Sequence, residues 1–339
     1  MATNRSAQLK SPWQCRLQSV DIPENPPAGE VVIRVDACAI CGTDLHAAEA
    51  GAKDWQSFGH EVAGTIEAVG EGASHLSEGQ RVVLETSSFC GTCTLCRNGQ
   101  TDRCNKAPQF WGRPAMGFSD RMLVPSQCVV RYEGLAADVA CMTEPAGVAY
   151  DMVKTAGISL GESVAIVGPG PIGLMAIPIA LRSGATNLVC IGRSGNRRRL
   201  DIADRWGAQP VVADEALNQR SDLTKKFDHV LCTAPVQFLG DCLSLLAYGG
   251  RLTYIGIGVG SGEIRFDAND FHYRKLQLRS SFASPAMYFP IALQLMTSGV
   301  LPAAELISHR FGLDRISDAM ELLQHRKSET VKVVIMPVR

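Results

Sequence analysis

Val164-Ala-Ile-Val-Gly168-Pro-Gly170-Pro-Ile-Gly173-Leu-Met-Ala-Ile177 decides the fold of this chain. An apolar strand runs into G-x-G-x-x-G, and the sequence behind the last glycine has the character of a helix. In such a loop the first glycine makes the turn and the second lets a pyrophosphate approach the backbone. The third lets helix pack on strand. The helix then offers unpaired N–H groups to phosphate charge. Gly168, Gly170, Pro171, Ile172 and Gly173 are therefore the expected phosphate-binding loop of a Rossmann domain. Pro178, inside that helix, removes a helical donor and has no functional reading.

Outward from the loop, strand candidates alternate with helix candidates: Val164–Val167, Leu188–Ile191, Pro210–Val212, His229–Cys232, Arg251–Ile255 and Leu276–Ser280. This alternation predicts a doubly wound parallel sheet with helices on both faces. The first ~140 residues have a different texture, with half-buried strands read at Glu30–Asp36, Glu61–Val69 and Gln80–Glu85. The last ~55 return to a helix-and-strand mix ending in Val331–Met336. The prediction is an α/β protein in which a nucleotide domain is inserted into a β-rich domain built from both ends of the chain.

The end of the second Rossmann strand bears on the cofactor. NAD enzymes usually carry an acid there for the ribose hydroxyls. Here Leu188–Ile191 runs into Gly192-Arg193-Ser194-Gly-Asn-Arg197-Arg198-Arg199. A small residue, a hydroxyl and guanidiniums suit a 2′-phosphate, which arginine grips in a fixed fork. NADP is thus expected over NAD, with Gly192, Arg193, Ser194, Arg197 and Arg198 as contacts. Replacing Gly192 by Asp and Arg193 by Ala is expected to shift preference toward NAD.

Cys90-Gly-Thr-Cys93-Thr-Leu-Cys96, followed by Cys104, places four cysteines in fifteen residues with gaps of two, two and seven. Each two-residue gap lets a turn aim two sulfurs at one point, as a structural zinc with four thiolates requires. Such a site has no open position and does no chemistry. A second set is dispersed: Cys41-Gly-Thr43-Asp44-Leu-His46, Gly59-His60-Glu61 and Thr143-Glu144-Pro145. Together they supply cysteine, histidine and carboxylate, which suit a catalytic zinc with one position left for substrate. Thr43 and His46 could relay the proton released when an alcohol is oxidised. Cys38 is read as a packed residue. Phe110, Trp111, Arg113 and Phe118 read equally as pocket lining or as packing.

The 339 residues are enough for two domains; 46% are apolar and 20% charged, which suits a soluble globular protein. With 33 basic and 34 acidic residues the net charge is −1, so there is no basic footprint for nucleic acid. No apolar run reaches the ~20 residues of a membrane helix. The N-terminus lacks the layout of a secretory signal, so a cytoplasmic location is the default expectation. Of the 12 cysteines, those outside the two sets read as small buried side chains.

Taken in order, these motifs resemble the zinc-containing medium-chain alcohol and polyol dehydrogenases, over nearly the whole length. The resemblance implies a GroES-like catalytic domain over residues 1–146 and 285–339, a Rossmann domain over 147–284, and a cleft between them. It also implies a zinc-polarised oxygen and hydride transfer between a substrate carbon and the nicotinamide. Cys41, His60 and either Glu61 or Glu144 would be the catalytic zinc ligands. Thr233 and Ile257 would lie along the nicotinamide and its ribose. Glutamate at 144 is similar to the sorbitol and threonine dehydrogenase branches, so the expected substrate is a hydroxylated small molecule: a polyol, sugar, cyclitol or aminocyclitol. The runner-up is an NAD-dependent sugar-alcohol or amino-alcohol dehydrogenase. A third reading is a cofactor-binding scaffold that has lost catalysis. The family implies a homodimer or homotetramer. Two departures stand out. Only thirteen residues separate His46 from His60, and Ser280–Met287 lacks the arginine that sorbitol dehydrogenases typically carry there.

Overall fold

The structure is a computed structural model that describes residues 4–256 and 262–337. Ile257 lies outside the described residues. The chain forms two compact units, Met1–Gly147 with Ala283–Arg339, and Val148–Phe282.

The second unit is built on six strands: Ser163–Val167, Asn187–Gly192, Gln209–Val212, Phe227–Cys232, Leu246–Tyr254 and Gln277–Ser280. All pair in parallel, and numbered by appearance their order is 3-2-1-4-5-6. That order reverses direction beside the first strand, which is where doubly wound sheets bind nucleotides. The expected strands are all present. The fifth begins at Leu246, because Gly249, at φ +77°, and Gly250 form a bulge within it rather than a turn before it. Apolar residues of the inner strands, Val167, Val230 and Leu252 among them, are buried in one core. Pro178 sits inside the helix Pro171–Ser183, which continues through it.

The first unit carries a larger sheet. Its strands run in the order Ile307–Gly312, Lys332–Met336, Glu30–Ala39, Glu61–Val69, Arg81–Leu84 and Val129–Arg131, with Arg121–Pro125 also paired to Glu30–Ala39. Register matters more than strand count here. Ala39 lies opposite both Glu61 and Val334, so these three share one face of the sheet. Lys332, two residues before Val334, is on that face too. Ala39 is small and fully buried, and Glu61 and Lys332 on the same face are buried with it. A second sheet pairs Arg5–Lys10 with Gln14–Ser19 and Gln56–Ser57. Among the described residues no helix is long and apolar enough to cross a membrane.

Candidate active site and cofactor loop

Near the end of the strand Glu30–Ala39 the first unit buries Asp44, His60, Glu61 and Lys332. Cys41 caps the short helix Gly42–His46, and its N–H donates to Asp44 Oδ2 at 2.9 Å. His60 and Glu61 arrive on the neighbouring strand. Gly59 before them has φ +91°, and a Cβ there would lie 2.6 Å from the Phe118 ring, so only glycine makes this entry. The ligand atoms of Cys41, His60 and Glu61 lie within 4.8 Å of one another.

The surroundings of these three are specific. The Thr43 hydroxyl donates to Cys41 Sγ at 3.0 Å. Asp44 Oδ1 stands 3.7 Å from His60 Nδ1. Lys332 Nζ donates to Glu61 Oε1 at 2.5 Å, with both side chains buried. Glu61 Oε2 is buried and has no protein partner. Burial opposes charge on His60, but Cys41, Asp44 and Glu144 outweigh it and hold the imidazole well above its ordinary range. Burial raises the Glu144 carboxyl to about 7, against the pull of His60. Sulfur, imidazole and an orphaned carboxylate oxygen converge with an excess of negative character. That donor set fits a divalent metal such as zinc. Glu144 is near enough to feel His60 and Glu61, yet it is not among the three convergent ligands.

His46 lies half-buried beyond Thr43, and its Nδ1 is buried without a partner. Burial lowers its pKa, and Lys327 lowers it further, so the ring is neutral at neutral pH. Phe110 and Phe118 are core residues, 0% and 1% exposed. Arg113 is committed to Glu30 through two hydrogen bonds of 2.6 and 2.9 Å. Trp111 differs from them: it is 45% exposed, and its ring centroid stands 4.9 Å from that of His60. Cys38 is fully buried, as expected of a packed residue.

Cys90, Cys93, Cys96 and Cys104 form a second cluster, with all four sulfurs within 4.8 Å of one another. The Cys90–Cys96 and Cys93–Cys104 sulfurs are 4.0 and 3.9 Å apart. A tetrahedron with Zn–S bonds of ~2.3 Å has edges of about 3.8 Å, so the four fit one zinc ion. The Thr92 hydroxyl and the N–H groups of Thr92 and Cys93 push the Cys90 thiol down to about 5, toward the thiolate a metal needs.

In the second unit Gly170 caps the helix Pro171–Ser183, with Pro171 in its first turn. A Cβ on Gly173 would lie 2.2 Å from the Gly168 carbonyl, while one on Gly170 would meet nothing within 4 Å. The loop is closed toward the helix and open where a pyrophosphate would lie. The Thr233 hydroxyl donates to Gly168 O at 2.7 Å and fixes the turn. Ile172 lies beside it in the first turn of the helix. Arg193 and Ser194 are exposed, with the Arg193 guanidinium 5.4 Å from the Phe238 ring centroid. Arg197 and Arg198 are exposed in the first turn of the helix Arg197–Arg205.

Three features near these sites were not foreseen from sequence. Lys332 had one signal, a lone lysine in an otherwise apolar terminal strand. Asp44 was visible only as part of a motif, and its contact with His60 was not. Asp214, which accepts from Ser194, gave no signal.

Fold and sites define an alcohol dehydrogenase of the zinc-binding, medium-chain type. Residues 27–134 match the alcohol dehydrogenase GroES-like domain and residues 171–298 the zinc-binding dehydrogenase family, so the chain belongs to this family of enzymes acting on alcohol groups. It is 32% identical to an L-threonine 3-dehydrogenase of Pyrococcus abyssi over 97% of each chain. It is 28% identical to the L-galactonate-5-dehydrogenase of Escherichia coli K12, over 91% of this chain and 92% of that protein. Among solved structures, the alcohol dehydrogenase TADH from Thermus sp. ATN1 superposes with a TM-score of 0.86 at 26% identity, covering 98% of this chain and all of that one.

Proposed function

We propose that this enzyme oxidises a secondary alcohol of a hydroxyl-rich small molecule, or reduces the corresponding ketone, with NADP(H) as the preferred cofactor. The substrate class is a polyol, sugar, cyclitol or aminocyclitol. The convergence of Cys41, His60 and Glu61 beside Thr43 and His46 carries the reading. It supports catalysis over the scaffold alternative, because an inactive binding module has no use for a metal-ligand set beside a neutral imidazole whose buried Nδ1 has no partner. A relative named for galactonate supports a hydroxyl-rich substrate, and one named for threonine supports oxidation at a secondary alcohol and favours the amino-alcohol alternative. Trp111 also supports a hydroxyl-rich substrate, since its exposed ring beside His60 offers a flat apolar face to the C–H side of a hydroxylated ring.

When bound, zinc would supply Lewis acidity toward the alcohol or carbonyl oxygen, and NADP(H) would supply the hydride-transfer chemistry. Cys41, His60 and Glu61 would hold the catalytic zinc, Glu144 would replace or assist Glu61, and the four-cysteine cluster would hold a structural zinc. Asp44, 3.7 Å from His60 Nδ1, places a favourable negative charge beside the ring. Lys332 neutralises one Glu61 oxygen. Thr43 and His46 would carry the hydroxyl proton away, and the lowered pKa of His46 keeps its ring able to accept. The balance is alcohol plus NADP⁺ to ketone, NADPH and one proton. In the second unit the Gly168–Gly173 loop would take the pyrophosphate, and Arg193 and Ser194 the 2′-phosphate. Among the described residues Gln277–Ser280 is the edge strand of the sheet, suited to association into a homodimer or homotetramer, which sedimentation would register as a mass of two or four chains.

The test is a rate panel on zinc-loaded protein, following nicotinamide absorbance with NADP and with NAD. Polyols, sugars, cyclitols, amino alcohols and simple secondary alcohols are each offered. Turnover of a hydroxyl-rich substrate with higher kcat/KM for NADP is expected. A preference for NAD would overturn the cofactor assignment, and turnover confined to simple alcohols would overturn the substrate class.

A further inference from the structure

The donors suited to a 2′-phosphate are held by a carboxylate. The Ser194 N–H donates to Asp214 Oδ1 at 3.0 Å, and the Ser194 hydroxyl donates to the same oxygen at 3.2 Å. The topology brings them together. Gly192 and Val212 are paired at the ends of neighbouring parallel strands, and the Ala213 N–H donates to Gly192 O at 2.9 Å. Ser194 and Asp214 each stand two residues beyond that pair. Arg193, next to Ser194, adds a favourable charge, and together these donors hold the Asp214 carboxyl below its usual range. Both Ser194 and Asp214 are exposed.

An acid at position 192 is sterically disfavoured, because a Cβ there would stand 2.8 Å from Pro169 Cγ. The carboxylate at this loop comes instead from the third strand's end. It sits on the phosphate donors themselves. A phosphate dianion and a carboxylate cannot share one N–H and one hydroxyl without like-charge repulsion.

We propose that Asp214 is a specificity-determining residue: it occupies the Ser194 donors in the free protein and must leave them before a 2′-phosphate binds. It therefore restrains affinity for NADP while leaving NAD nearly unaffected. The proposal rests on the NADP reading of the Arg193–Ser194 loop. Asparagine at 214 keeps an oxygen for Ser194 to donate to and removes only the charge, so Asp214→Asn isolates the effect.

The experiment is calorimetric titration of the zinc-loaded full chain with NADP, NAD, 2′,5′-ADP and 5′-ADP. Wild type, Asp214→Asn, Asp214→Ala and Arg193→Ala are compared at one low salt concentration. Both Asp214 variants are expected to bind NADP and 2′,5′-ADP roughly five- to tenfold more tightly, the scale of one exposed charge contact with a dianion. NAD and 5′-ADP are expected to change less than about twofold, since neither carries the phosphate at issue. An unchanged NADP/NAD affinity ratio in both variants overturns the proposal. So does a loss of NAD affinity in Asp214→Asn, which would make the carboxylate an acceptor for ribose hydroxyls. Arg193→Ala separates the two levels. If it weakens 2′,5′-ADP while the Asp214 variants gain nothing, the NADP reading survives and the Asp214 role falls. If 2′,5′-ADP binds no tighter than 5′-ADP in every variant, both fall.

Discussion

Gly192→Ala should weaken dinucleotide binding without changing which dinucleotide is preferred. The added Cβ would lie 2.8 Å from Pro169 Cγ, 3.1 Å from Pro169 Cδ and 3.3 Å from Leu200 Cδ2. Ordinary contact begins at 3.4 Å, so the proline ring must retreat by about 0.6 Å. It cannot do so alone. Its ring fixes φ, and it stands between Gly168, held by Thr233 at 2.7 Å, and Gly170, which caps the phosphate-facing helix. The displacement therefore passes into the loop. Overpacking of this size costs about 1–3 kcal/mol, which is roughly 5- to 150-fold in affinity if it falls on cofactor binding. Gly192→Asp carries the same Cβ and should lose affinity for NAD as well. The shift toward NAD expected from sequence for an acid here is therefore not expected from the structure. Calorimetry with NADP and NAD reads the effect, with thermal denaturation as a check on folding. Wild-type affinity for both cofactors in Gly192→Ala would refute the steric reasoning.

Other consequences follow from buried charge and the cysteine cluster. Burial raises the Glu85 carboxyl to about 7, with only Ser88 opposing the rise, so the folded state holds a proton that the unfolded chain, near 4.5, has lost. Stability should fall as pH rises from about 4.5 to 7, by about 3 kcal/mol in all. Glu85→Gln should thus match wild type near pH 4 and exceed it by about that amount above pH 8; parallel denaturation profiles across that range would be the contrary result. Lys332→Met should destabilise the chelator-treated protein by about 3–5 kcal/mol, because it strands a buried Glu61, and Lys332→Met with Glu61→Gln should recover most of the loss. No recovery in the double variant, measured by urea denaturation, would contradict the pairing. Cys93→Ser should release zinc from the four-cysteine cluster and open the 90–104 segment to limited proteolysis. Unchanged zinc content by elemental analysis would argue against that site.

Much of this was legible because it is local. The glycine loop and the four cysteines are contiguous, and strand period depends on neighbours one and two residues away. Cys41, His60 and Glu61 were legible as residue types, but their convergence depends on register, with Ala39 opposite Glu61. Lys332 lies 271 residues from Glu61, and its role appears only once the strand Lys332–Met336 is paired to Glu30–Ala39. Asp214 meets Ser194 for a similar reason, through the parallel pairing of Gly192 with Val212. Trp111 shares its sequence segment with Phe110, yet one is exposed beside His60 and the other is core, a choice set by tertiary packing.

The most direct test of the account is Cys41→Ser, assayed together with its zinc content. A serine hydroxyl replaces the sulfur that meets His60 and Glu61 and accepts from Thr43. Turnover of the substrate found in the rate panel is expected to fall by about three orders of magnitude or more, the scale of losing a catalytic group. The zinc of the four-cysteine cluster and the affinity for NADP should be retained. Wild-type turnover in Cys41→Ser would contradict zinc-assisted hydride transfer at this site.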